Sequence, residues 1–335
     1  MEATDRTGSA LVFPGMGPVP FAEVAKFMLV NPFARTLFAE ADEVLGYSLF
    51  ERFKQAEGDY SDHAQVAFLV NCLALARWVE HEYDEQPAFC TGLSFGEKAA
   101  AVHSGALSFA DGIRFTARFA HTLDAYFAEE HPEKVATQSF ARTPRALLDE
   151  VRAELTEQGE WHDVTCVVDE DFAMLTLRTS RLEWLQQRLR AAGGMPLYVM
   201  EPPLHSPAFG GLRRRVEDEV LAGLTFRDPQ LPVVADQDGA VLTTGDEVRN
   251  LLLDGCVRPV DWPGVLGSLR DKGVGTLYVA GQDALFGRVG AATRNFKVVP
   301  VNPRLAMRPR GGRGPRGAGG GGRRGGAGGR GGGAV

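Results

Sequence analysis

The chain has 335 residues, 44% hydrophobic and 24% charged, enough apolar material for a sizeable core without disulfides or metals. No apolar run approaches the ~20 residues of a membrane span, and Glu2 and Asp5 stand where a secretory signal needs basic residues. Membrane, collagen-like and disulfide-scaffold classes are excluded, and a cytoplasmic location is expected. The formal charge of −7 conceals an asymmetry. Residues 308–335 hold 15 Gly, 7 Arg and no acid, and without them 29 basic side chains face 43 acidic ones, a formal −14. Such a body disfavours a nucleic-acid enzyme. Cys72, Cys90, Cys166 and Cys256 form no CxxC pair and have no His at ligand spacing, so buried reduced thiols and no metal are expected.

In chain order, residues 10–13 are an apolar run ending at Pro14-Gly15, a buried strand entering a loop. Residues 32–45 have helical apolar spacing, and 64–80 predict a helix that is apolar nearly all round, hence buried. A short strand over 87–93 runs through Ser94 into a helix ending near Val102, and a second helix spans about Phe109 to Phe127. From about Lys134 to Met200 the pattern is βαββαβ: a strand, helix 144–158, strands 164–168 and 173–178, helix 181–192, strand 197–200. That order is the split-βαβ, ferredoxin-like signature. Strands resume at 231–235 and 276–279. The expected organisation is α/β: a discontinuous large subdomain (1–130 and 201–307), an inserted ferredoxin-like small subdomain (131–200) and a disordered Arg/Gly-rich tail (308–335). Arg213-Arg214-Arg215, followed by acids, reads as a charged helix face.

The strongest chemical signal is Gly92-Leu93-Ser94-Phe95-Gly96, a GxSxG between a strand and a helix. A tight turn there exposes the serine hydroxyl where N–H groups and the helix dipole favour an oxyanion.

Three segments together, Phe13-Pro14-Gly15-Met16-Gly17, Gly92 to Glu97, and Pro203-Leu204-His205-Ser206-Pro207, resemble in order the FPGQG, GHSxGE and histidine motifs of the malonyl-CoA:acyl-carrier-protein transacylase family. Gln65, the run Gly105–Arg114 and Pro259-Val260-Asp261-Trp262 are further matches, and the resemblance covers about residues 10–300. It implies an α/β-hydrolase-like large subdomain and ping-pong acyl transfer through an acyl-serine. Ser94 would be the nucleophile, His205 the acid/base, and the N–H groups of Phe95 and Met16 the oxyanion hole. No cofactor of the protein's own is implied; the substrate arm is the 4′-phosphopantetheine of a carrier protein. His63, His81, His103, His121, His131 and His162 have no comparable context.

Departures from the family bear on substrate. Malonyl-using members carry a carboxylate-binding arginine where this chain aligns Phe119, with Arg118 adjacent. A register one residue off would instead direct Arg118 or Arg114 at a malonyl carboxylate. Met16 replaces Gln, and the family's amide that helps orient the histidine appears as Gly255, which points to a roomier, less anion-friendly pocket. Gln65, Phe119, Arg118 and Gly255 are the candidate substrate contacts. The FPGMG and PPLHSPAF details are similar to stand-alone transacylases of macrolactam polyketide pathways, of the vicenistatin dipeptidyl type, which move an aminoacyl-capped β-aminoacyl starter between carrier proteins.

That resemblance implies two acyl carrier partners, a stand-alone donor and a polyketide synthase acceptor, docked by Arg142, Met195 and Arg288. A monomer is expected, with neither nucleic acid nor membrane as partner. A malonyl-CoA:acyl-carrier-protein transacylase, an acyl-carrier-protein hydrolase and an inactive docking module are the competing readings.

Overall fold

The computed structural model describes residues 6–58, 60–130, 133–283 and 285–308. The expected tail lies outside the described residues from 309 onward. Strand β1 (Gly8–Phe13) is buried along nearly its whole length. After it come α1 (Phe21–Val30), α2 (Pro32–Leu45), α3 (Leu49–Gln55) and α4 (Asp62–Tyr83). The start and stop of α2 are written locally: Asn31 accepts the N–H groups of Phe33 and Ala34, Pro32 sits at the first helical position, and Gly46 closes the helix at φ +75°. The helix α4 buries residues on every face, as its sequence predicts. No helix among the described residues is long and apolar enough to cross a membrane.

Next come β2 (Phe89–Gly92), α5 (Gly96–His103) and α6 (Phe109–Glu130). The βαββαβ run is β3 (Val135–Ala141), α7 (Arg145–Glu157), β4 (His162–Asp169), β5 (Phe172–Arg178), α8 (Leu182–Ala191) and β6 (Met195–Met200). The remaining elements are α9 (Gly210–Arg215), β7 (Val233–Val234), β8 (Val241–Leu242), α10 (Gly245–Asp254), β9 (Val260–Asp261), α11 (Trp262–Asp271), β10 (Val274–Ala280), α12 (Gly290–Thr293), β11 (Lys297–Val301) and α13 (Pro303–Ala306).

Two sheets result. The first has the order β11-β10-β1-β2-β7-β8 and is parallel except for the β7–β8 pair. The second has the order β6-β3-β5-β4-β9, in which β3 through β6 give the ferredoxin arrangement. The fold class is therefore the mixed α/β one expected, with the ferredoxin-like unit present. Its helices pack on one sheet face through Phe140, Leu148, Leu155, Leu175, Leu185 and Leu189. A second apolar cluster joins the sheets, combining Ala10 and Val12 of β1 with Cys166, Met174, Val260 and Trp262.

Several elements depart from the sequence reading. Strand β9 lies within the Pro-Val-Asp-Trp segment and pairs parallel to β4, Cys166 opposite Val260, so residues remote in sequence extend the small sheet. Two residues are too few to give a periodic signal. β11 carries Pro300, which weakens a strand signal but is tolerated because this strand is the sheet edge. β7 is shorter than the run predicted over 231–235, and α1 and α3 form where no element was assigned. All four cysteines are buried and unpaired. Arg213 and Arg215 pair with Glu217, Asp254, Glu129 and Glu219, as a charged face should.

Candidate active site

Parallel pairing places Phe13 opposite Gly92 at the ends of β1 and β2. The loops carrying Met16 and Ser94 therefore leave neighbouring strands at the same carboxyl edge, where open α/β sheets hold their sites. Ser94 adopts φ +54°, a strained conformation for a non-glycine residue. The flanking glycines are required by space: a Cβ on Gly92 would lie 2.0 Å from the Gly96 carbonyl oxygen, and one on Gly96 would lie 2.1 Å from that of Phe13. The Ser94 N–H donates to Asp236 Oδ2 at 2.7 Å.

Ser94 Oγ lies 2.7 Å from His205 Nε2. With a neutral ring that accepts at Nε2, the hydroxyl is the donor. His205 sits at φ +67° and its N–H donates to the Cys256 carbonyl at 3.0 Å. The next residue, Ser206, is fully buried; it accepts from the Ala208 N–H and donates to Asp163 of β4, tying the histidine loop to the small sheet. Burial pulls the His205 pKa down to about 4; the Arg258 backbone opposes this and the Lys98 charge adds to it. Nδ1 is buried without a partner at ordinary hydrogen-bond geometry. Only this weaker Arg258 backbone influence supports the ring, and no carboxylate completes a triad among the described residues.

Beneath the serine lie two buried acids. Glu97 and Asp236 are 4% and 0% exposed. Burial raises both pKa values, Asp236 to about 6 and Glu97 well above its usual range, and each side chain hydrogen-bonds the other. Glu97 therefore holds the shared proton and donates it to Asp236, while its Oε1 accepts from Gln237 Nε2 at 3.2 Å. Asp236 Oδ1, which receives no N–H or hydroxyl hydrogen bond, is the oxygen left for that proton.

A cavity of about 1040 Å3 opens over the pair, bounded by Ser94, His205, Met16, Phe95 and the small sheet's Met174 and Tyr198. The N–H groups of Met16 and Phe95 have no acceptor among the described residues. Gln65 lines the cavity and donates to the Tyr60 carbonyl.

A family model for the "VinK acyltransferase small domain" matches residues 139–200. The chain is 27% identical over 284 residues to the malonyl CoA-acyl carrier protein transacylase of Escherichia coli K12, covering 82% of this chain and 89% of that one. It is 28% identical over 288 residues to the polyketide biosynthesis protein ThaF of Burkholderia thailandensis, covering 79% of this chain and 22% of that one. Among solved structures, a malonyl-transacylase in complex with its type II polyketide synthase acyl-carrier protein superposes with TM-score 0.77 at 23% identity, covering 87% and 95%. The transacylase of Coxiella burnetii superposes with TM-score 0.75 at 21% identity, covering 90% and 96%. Over most of its length the chain is similar to malonyl-CoA:acyl-carrier-protein transacylases. It is an acyltransferase.

The residues expected to contact substrate are distributed unevenly. Phe119 is buried and lines the cavity. Arg118, expected as a substrate contact, is exposed and outside the cavity; one residue of helix turns it away by about 100°. Arg114, the other alternative, is exposed and pairs with Asp111. Gly255 lines the cavity but does not enlarge it, because a Cβ there would lie 2.5 Å from Glu97 Oε2: the space of the missing side chain holds the Glu97 carboxyl. Arg288 is exposed and lines the cavity. Arg142 is exposed at φ +54°, and Met195 is 40% exposed, in line with exposed Leu197 and Val199 on β6.

Sequence reasoning missed Asp236 and Lys98. Lys98 is only 6% exposed, and its Nζ lies 4.0 Å from the Phe95 ring centroid and 4.4 Å from that of Phe119. A charged residue inside the small-residue run Gly-Glu-Lys-Ala-Ala-Ala was the available signal.

Proposed function

We propose that this acyltransferase moves an acyl group between acyl carrier proteins through an acyl-Ser94 intermediate. The observation that carries the reading is the 2.7 Å contact of Ser94 Oγ with His205 Nε2 at the base of the cavity. Ser94 Oγ attacks the thioester carbonyl while His205 Nε2 takes the hydroxyl proton; the C–S bond then breaks and the leaving thiol takes that proton. The incoming thiol reverses these steps on the ester. The N–H groups of Phe95 and Met16 receive the developing oxyanion. Because they are main-chain donors, Met16 in place of Gln does not remove one.

The acyl group we propose is larger than malonyl, of the aminoacyl-capped β-aminoacyl kind used in macrolactam polyketide assembly. The match to a VinK-type small domain, the cavity volume and Phe119 in the lining favour it. The arm entering the cleft is a carrier protein's phosphopantetheine, with exposed Arg142 and Met195 and the cavity-lining Arg288 as docking contacts for an acidic partner. Malonyl transfer is the second reading, favoured by the cation that Lys98 brings to Phe119.

The test incubates the enzyme with an acylated donor carrier and a holo acceptor carrier and follows the acyl group by mass. Transfer that is abolished in His205→Ala supports the reading. Release of free acid without acceptor acylation would make the protein a hydrolase.

A further inference from the structure

We infer that Lys98 determines acyl-group specificity: its ammonium holds an acceptor oxygen of the acyl chain, a carboxylate or amide carbonyl, and disfavours an uncapped β-ammonium at that place. The inference rests on the acyl-Ser94 reading above.

Lys98 lies in the first turn of α5, four residues after Ser94. It lines the cavity with Ser94 and His205 and is close enough for its charge to depress the His205 pKa. Phe95 and Phe119 hold the Nζ at 4.0 and 4.4 Å from their ring centroids, with Phe115 farther at 6.0 Å. Cation–π contact offsets part of the cost of removing an ammonium from water, but it supplies no hydrogen-bond acceptor. The nearest acid in sequence, Glu97, is engaged with Asp236 and Gln237, and Lys98 forms no salt bridge among the described residues. Burial lowers its pKa to about 8, which leaves it mainly charged at neutral pH. The buried cation thus feels the Glu97 charge but has no hydrogen-bond acceptor among the described residues, and it lines the space an acyl chain enters. Phe119 of α6 supplies a ring on which this cation from the neighbouring helix rests.

The test measures acyl-enzyme formation by intact mass from four coenzyme A thioesters: malonyl, N-acetyl-β-alanyl, butyryl and β-alanyl. Wild type, Lys98→Met and Lys98→Arg are compared, with folding checked by circular dichroism. Wild type is expected to prefer malonyl or N-acetyl-β-alanyl, whichever oxygen the ammonium holds, over butyryl and β-alanyl. In Lys98→Met the preferred-to-butyryl ratio should fall about tenfold or more, since a polar site that has lost its donor ceases to discriminate. Lys98→Arg should retain most of the preference. A folded Lys98→Met protein with unchanged ratios would overturn the inference. No adduct on wild type from any donor, including the same acyl groups presented on a donor carrier protein, would instead overturn the acyl-Ser94 reading beneath it.

Discussion

The backbone N–H of Ser94 donates to Asp236 Oδ2 at 2.7 Å. This one contact joins the strained turn after β2 to the loop after β7 and satisfies the serine's own amide, leaving the Phe95 N–H to face the cavity. Asp236→Leu would leave a buried N–H unpaired beneath the nucleophile, at a cost of about 1–3 kcal/mol. Chemical denaturation should show that loss, together with slower acylation. Glu97→Gln is isosteric, still donates to Asp236 and can still accept from Gln237; it should match wild-type stability at pH 6.

The carboxyl pair also sets a pH dependence. An acid whose folded pKa exceeds its unfolded value binds its proton more tightly when folded, so raising the pH penalises folding. For Asp236 the penalty grows from its ordinary value of 3.8 through about 6, and Glu97 shifts in the same direction. The melting temperature of wild type should therefore fall between pH 5 and 8 more than that of Glu97→Gln, which removes one titrating carboxyl and supplies a permanent donor. Equal slopes for the two proteins would argue against a shared proton.

His205 gives a separate profile. Its pKa is depressed to about 4, so the neutral base persists at acidic pH. The acid limb of kcat/KM for acyl-enzyme formation should lie well below the ~6.5 of an unperturbed histidine. A limb near 6.5 would mean that the ring is more hydrated, or better supported at Nδ1, than the static geometry allows.

Gly255 should tolerate little. Its Cβ position lies 2.5 Å from Glu97 Oε2, and Glu97 cannot retreat without breaking the pair with Asp236. Gly255→Ala should cost about 1–3 kcal/mol and lower the acylation rate, whereas a roomy site at this position would accept the methyl group without effect.

The nucleophile and its histidine were legible because their chemistry leaves marks on neighbouring residues. The tight turn at Ser94 leaves no room for a Cβ at 92 or 96, and a compact loop holds His205 beside Pro207. The βαββαβ unit was legible from its strand–helix alternation. Lys98 was not, because a lysine in a helix is ordinarily solvated; its burial comes from the packing of α5 against α4 and α6. Asp236 was hidden for a different reason: it meets Glu97 only when β7 pairs with β2. Arg118 illustrates the limit of register arguments, since a single residue of helix separates a cavity-lining Phe119 from an exposed arginine.

The docking rim can be separated from the chemistry. Arg142→Glu and Arg288→Glu should raise KM for an acidic carrier-protein donor several-fold, about 1 kcal/mol per reversed contact, while coenzyme A thioester loading changes little. Equal losses with both donors would place these arginines in folding or catalysis.

The central claim is a covalent acyl-enzyme on Ser94. Intact-mass analysis after incubation with the four thioesters, followed by peptide mapping, addresses it most directly. The account predicts a mass gain equal to the acyl group from at least one donor, mapped to the peptide containing Ser94 and absent from Ser94→Ala. An adduct that persists in Ser94→Ala, or acyl transfer with no adduct on wild type, would contradict it.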